Sequence, residues 1–136
     1  MEIKPIADIV RRIRTIQFNE EFDLIVAIAR GGLIPAAMLQ SRLNLPLESV
    51  ELRFRSDSQE QIFDEPKLLS PLRFDPAGKK ILLVDDRSRT GSTFSKASEL
   101  LAGASLIRTC AVNGSADYPL FDETCFFFPW RIDIYD

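Results

Sequence analysis

Histidine is absent from the chain. This excludes histidine-based triads, imidazole proton shuttles and nearly every histidine-containing zinc site. Cysteine is almost as scarce. Cys110 and Cys125 are too few for a disulfide scaffold or an all-cysteine zinc site, and their apolar neighbours suggest buried free thiols. Positive charge is in deficit, with 17 Lys and Arg against 20 Asp and Glu, for a formal net charge of -3. No global field therefore draws the chain to nucleic acid or to an anionic membrane, and neither is expected as a partner. The local cluster Arg11-Arg12-Ile13-Arg14 has the spacing of a solvated helix face. No apolar run approaches membrane-spanning length, and Met1 to Val10 mixes acidic and basic residues without a long apolar core. The stretch does not read as a signal peptide, so a cytoplasmic location is expected. The usual phosphate motifs are missing too. There is no GxGxxG, and Gly78-Lys79-Lys80 lacks the upstream Gly and the Ser or Thr of a P-loop.

What remains is a globular composition. The 136 residues are 46% hydrophobic and 27% charged, enough for one domain with its own core. Ile6, Ile9, Val10, Ile13 and Ile16 form a helical stripe, and Pro5 suits its first turn. Leu24 to Ala29 is continuously apolar, as in a strand covered on both faces, and stops at Arg30-Gly31-Gly32. Leu33 to Leu43 reads as a helix with Pro35 in its first turn. Leu47 to Phe54, Ile81 to Val84, Leu106 to Val112 and Phe126 to Phe128 read as further strands. A helix follows from Ser92 or Thr93 to about Leu101. The alternation predicts an α/β fold with a parallel sheet and helices on both faces. Arg55 to Gly78 is polar, holds Pro66, Pro71 and Pro76, and is expected to be a mobile loop.

The most informative stretch runs Ile81-Leu82-Leu83-Val84-Asp85-Asp86-Arg87-Ser88-Arg89-Thr90-Gly91-Ser92-Thr93. A buried strand delivers two carboxylates to its C-terminal tip, and a loop of mostly small residues then enters a helix N-terminus. Free backbone N–H groups, the helix dipole and the hydroxyls of Thr90, Ser92 and Thr93 suit a phosphate. Gly91 allows close backbone approach. Asp85 and Asp86 beside that cradle can hold Mg2+ or accept hydrogen bonds from vicinal hydroxyls. A phosphate grip next to a diol grip matches a ribose 5-phosphate.

This stretch resembles the phosphoribosyl-pyrophosphate (PRPP) signature of type I phosphoribosyltransferases: four apolar residues, two acids, then a Thr-Gly-Ser/Thr loop. Ile25 to Ala36, with Arg30-Gly31-Gly32 at its centre, resembles the segment carrying the family's pyrophosphate loop, above all in the xanthine-guanine and hypoxanthine branches. Phe128-Pro129-Trp130 is similar to a C-terminal element of the same branches. The resemblance runs from about Asp23 to Trp130. It implies one domain over 1–136, with a core near 23–113, a small hood from 1–20 and 114–136, and the mobile loop at 55–78.

The resemblance further implies an enzyme that binds PRPP with Mg2+ and transfers its ribose 5-phosphate to a nitrogen of a nucleobase, purine favoured, releasing pyrophosphate. Asp85 and Asp86 would be catalytic and metal-binding. Ser88, Arg89, Thr90, Gly91, Ser92 and Thr93 would surround the 5-phosphate. Arg30 and Gly31 would meet the pyrophosphate, in the family often around a non-proline cis peptide. Arg53, Arg55 or Lys67 would help to neutralise it. A homodimer or tetramer is expected.

Three positions depart from the purine-salvage pattern. Arg89 stands where an Asp near the purine ring nitrogen is usual, and an arginine cannot serve as a base. Ala111-Val112-Asn113-Gly114 has no Lys to read a 6-oxo group. Cys125 or Phe126 stands where an aromatic sandwiches the base. Val112, Phe126 and Phe127 are the candidate base contacts. These departures keep two alternatives open: transfer to a pyrimidine or other nitrogen heterocycle, and a non-catalytic PRPP-binding regulatory protein.

Overall fold

The computed structural model describes residues 1–53, 67–68 and 71–135. Helix α1 spans Ile6–Thr15, strand β1 Leu24–Ala29, α2 Leu33–Leu43, β2 Leu47–Arg53 and β3 Lys67–Leu68. Strand β4 spans Lys80–Ser88, α3 Ser92–Leu100, β5 Leu106–Gly114 and β6 Tyr118–Phe121, with a 3-10 turn at Ile132–Ile134. The sheet order is β3-β2-β1-β4-β5-β6. Strands β2, β1, β4, β5 and β6 run parallel, and β3 pairs antiparallel with β2 at the edge.

The continuous apolar runs are explained by two cores, one on each face of the sheet. Ile25, Ala27, Leu82 and Val84 pack with Ile9 and Ile13 of α1 and with Ala36 and Leu39 of α2. Their neighbours in sequence, Leu24, Val26, Ile28, Ile81 and Leu83, pack with Phe94, Ala97 and Leu101 on the α3 side. Each strand residue is buried whichever way it points, so β1 and β4 lose the alternation of a half-exposed strand. No helix among the described residues is long and apolar enough to cross a membrane.

The expected helices and the strand at Leu24–Ala29 are present. Two strands differ from the sequence reading. Phe126–Phe128 is not a ladder strand. It makes one parallel bridge, Ile3 to Phe127, and the buried Phe126 ring packs edge-on against Phe121 and Phe128. The edge strand is instead Tyr118–Phe121. Pro119 sits in it, as an edge position allows. Its return from β5 is held by Asp117, whose carboxylate accepts from the backbone N–H and hydroxyl of Thr109. Strand β4 also runs four residues beyond Val84. Of the loop expected at 55–78, residues 71–78 are described, as are Lys67 and Leu68, which form β3 beside Arg53 and Leu52 rather than loop; Arg55 and the rest lie outside the described residues.

Candidate active site

Strands β1 and β4 are neighbours, yet the helices that follow them cover opposite faces, with α2 on one and α3 on the other. Such a switch point leaves a crevice at the strand C-termini where α/β proteins bind ligands. The β1–β4 ladder ends at Ala27–Val84, while β4 continues alongside β5 to Ser88–Gly114. Asp85 and Asp86 emerge where β4 leaves β1.

The two carboxylates are held by their own backbone. The Asp86 N–H donates to Asp85 Oδ1 at 2.8 Å, and the Arg87 N–H to Asp86 Oδ1 at 2.6 Å. Burial pushes the Asp85 carboxyl well above the usual carboxylate range, and the charge of Asp86 pushes it further. Asp86 is raised as well, by burial, although contact with Asp85 and the charge of Arg87 pull it back. Two desolvated acids side by side disfavour the doubly ionised state. A cation placed there relieves both penalties.

Past Ser88 the chain turns through Arg89–Gly91, with Gly91 at φ 81°. Helix α3 begins at Ser92, and its N-cap residue, Gly91, offers no side chain to cap it. The Thr90 hydroxyl donates to Ser92 Oγ at 3.1 Å and accepts from the Ser92 N–H at 3.3 Å. A cavity of about 360 Å³ is lined here by Asp85, Arg87 and residues 88–94. The structure thus gathers Asp85 with all six residues expected around a 5-phosphate.

The opposite wall is the turn after β1. The Ala29–Arg30 peptide is cis, and α2 starts at Leu33 after Gly32, which likewise offers no side-chain cap. Gly31 lies against the carboxylate of Asp86, and Gly32 is wedged between strand tips: a Cβ on it would stand 2.3 Å from the Val84 carbonyl oxygen. The two loops therefore touch.

The acceptor side differs more from expectation. Val112 and Phe126 are 1% and 4% exposed and belong to the core, so their side chains shape the wall from behind. Phe127 is half-buried with the Arg131 guanidinium 5.6 Å from its ring centre. Sequence reasoning missed Arg87. Its Nη2 donates to the Phe126 carbonyl at 3.0 Å, and its guanidinium lies 5.2 Å from the centre of the Phe128 ring. Phe128 in turn stacks on Trp130 at 5.2 Å with the rings 3° from parallel. Arg87 Nε and Ser88 Oγ are buried without a hydrogen-bond partner, a condition that costs about 1–3 kcal/mol per group until a ligand relieves it. Arg89 directs Nη2 to Cys125 Sγ at 3.8 Å, in the C-terminal segment. The signal for Arg87 was in the sequence: a cation directly after two acids at the tip of a buried strand.

A phosphoribosyl transferase domain model matches residues 2–130. The chain belongs to the phosphoribosyltransferase family. It is 33% identical to a xanthine-guanine phosphoribosyltransferase of Chromohalobacter salexigens over 124 residues, 85% of this chain and 73% of that protein. It is 35% identical to an orotate phosphoribosyltransferase of Sulfurisphaera tokodaii over 83 residues, 61% of this chain but 38% of that protein. Among solved structures, a purine phosphoribosyltransferase from Pyrococcus horikoshii superposes with a TM-score of 0.76 at 27% identity, covering 94% of this chain and 92% of that one. Fold, segment order and the purine-like branch of the family agree with the resemblance seen in the sequence.

Proposed function

We propose that this phosphoribosyltransferase-family protein transfers the ribose 5-phosphate of PRPP to a ring nitrogen of a nucleobase, purine favoured, with release of pyrophosphate. The observation that carries this reading is the meeting of two loops at one switch point: the acid pair and the α3 N-terminus after β4, and the Arg30–Gly32 turn after β1. One end suits a phosphate monoester, the other a pyrophosphate, and the carboxylates between them suit the ribose hydroxyls. Relatives with purine names over most of their length favour a purine acceptor.

In this reading residues 88–93 grip the 5-phosphate through backbone amides and hydroxyls, and Arg30 and Gly31 present the β1 turn to the pyrophosphate. Among the described residues no group of three Asp, Glu, Cys or His side chains is gathered as a ready-made metal cage. Asp85 and Asp86 fit Mg2+ nonetheless, because that ion is held by one or two carboxylates together with substrate oxygens. Bound there, it would neutralise the diphosphate and favour its departure. The protein contributes positioning, charge placement and exclusion of water. Residues 1–20 and 114–136 would supply the hood, with Glu2 to Lys4 joined through the backbone to Phe127. A homodimer or tetramer in the cytoplasm belongs to the same proposal.

Calorimetry with PRPP and Mg2+ tests the donor half, and pyrophosphate release with a panel of bases tests the transfer. Absence of PRPP binding overturns the proposal. Binding without release from any base leaves a PRPP-binding regulator, the reading favoured by the altered acceptor side.

A further inference from the structure

The acceptor nitrogen must lose a proton, and among the described residues the side chains beside the acid pair on the acceptor side offer no base to take it. There is no histidine, and the side chains beside the acid pair on the acceptor side, Arg87 and Arg89, are guanidiniums that donate and never accept. Arg87 is fixed by the Phe126 carbonyl and the Phe128 ring, with Nε buried and unpartnered. Arg89 leans on a thiol, a weak acceptor that an oxygen would displace. Asn113, the buried amide nearest in the sheet register to Arg87, spends its side chain on the backbone of Glu123 and Thr124.

We infer that Arg87 and Arg89 bind the acceptor heterocycle as its anion, through exocyclic oxo groups that share the negative charge. This rests on the PRPP-transfer reading and names its acceptor class: oxo heterocycles that ionise, rather than amino heterocycles. Opposite charge within a few ångströms favours the ionised form, so the acceptor gives its proton to water before transfer. The freed nitrogen lone pair then forms the bond to ribose C1 as the C1–oxygen bond breaks and pyrophosphate leaves with that electron pair. A donor-only edge also rejects a base that presents an amino group there.

The test uses purified protein with PRPP and Mg2+, and xanthine, orotate and adenine as acceptors. Xanthine or orotate is expected to exceed adenine in kcat/KM by more than about tenfold. For the preferred acceptor, the rate should rise with pH as the heterocycle ionises. Arg89→Ala should raise the acceptor KM about tenfold or more and move the midpoint of that rise upward, while Arg89→Lys recovers part of the loss. Arg87→Met should act in the same direction, and exposed Arg89 carries the test alone if that variant misfolds. Adenine used as well as xanthine and orotate, an unmoved pH midpoint, or equal losses for PRPP and acceptor in Arg89→Ala would overturn the inference while the transfer reading stands. If PRPP binds but no base reacts, the transfer reading fails, and calorimetry with xanthine decides. Binding that strengthens with ionisation and vanishes in Arg89→Ala supports the anion site; its absence overturns it. No PRPP binding overturns both.

Discussion

Gly31 gives up its side-chain space to the carboxylate of Asp86: a Cβ at Gly31 would stand 2.5 Å from Oδ2 and 2.6 Å from Cγ. The turn after β1 and the acid pair after β4 are thus fitted to each other before any ligand arrives. Gly31→Ala must displace that carboxylate, a side-chain shift the fold can tolerate. The expected outcome is PRPP affinity weakened about tenfold or more by calorimetry, with little change in Tm. Gly32→Ala meets backbone, so it should instead destabilise the fold by about 1–3 kcal/mol, read in denaturant unfolding.

Asp85→Asn should separate stability from function. The folded protein holds the Asp85 carboxyl above its ordinary range, so the protonated form is the one the fold favours. Its stabilising contribution is full below the ordinary carboxylate range and is lost as pH rises through the elevated folded value. The ligand-free protein bears that cost at neutral pH. Neutral Asn keeps an oxygen for the Asp86 N–H and removes the charge. Tm in the absence of ligand should rise by a few degrees, given about 1.4 kcal/mol per pKa unit. PRPP binding should be lost. A fall in Tm would refute the burial cost, and retained affinity would refute the diol grip.

Glu20 and Tyr118 predict the pH limits of the fold. Glu20 accepts from the Tyr118 hydroxyl and from Arg108 Nε at 2.8 Å, which lowers its pKa. Its contribution is present above the ordinary carboxylate range and lost as acid protonates it. Tyr118 is raised, by burial first and then by its bond to Glu20, so its contribution is present below the ordinary phenol range and lost as pH rises through the raised value. Tyr118→Phe should flatten the Tm–pH curve at both ends. An unchanged curve would show that the pair contributes nothing.

The two thiols should behave unequally. Burial pushes Cys110 up to about 12, while Cys125 is half-buried beside Arg89. One thiol per chain should react with Ellman's reagent at pH 8 in the native state, and two in denaturant. Cys125→Ser should abolish the native reaction.

The sequence was legible wherever a strand is sealed on both faces. Leu24–Ala29 could only be a buried strand, and the helices beginning at Leu33 and Ser92 carried their own turn residues before them. The phosphate side of the site followed from local order alone, since Asp85 to Thr93 is contiguous. The acceptor side did not, because it is assembled over long separations: Arg87 with Phe126, Phe128 and Trp130, and Arg89 with Cys125. A run of three phenylalanines looks like a strand in one dimension. In three it is a set of rings packed edge-on, while Pro119 concealed an edge strand that tolerates it.

The last rung shared by β1 and β4 joins Ala27 to Val84, two fully buried residues. Beyond it the two halves of the site ride on separate strands, so the ångströms between phosphate grip and pyrophosphate turn are set as by a caliper, with its pivot in the core. A methyl or two added at Ala27 would touch no substrate, yet it would open or close the jaws. The size of molecule this protein accepts is therefore written partly in a buried alanine one rung beneath the acid pair.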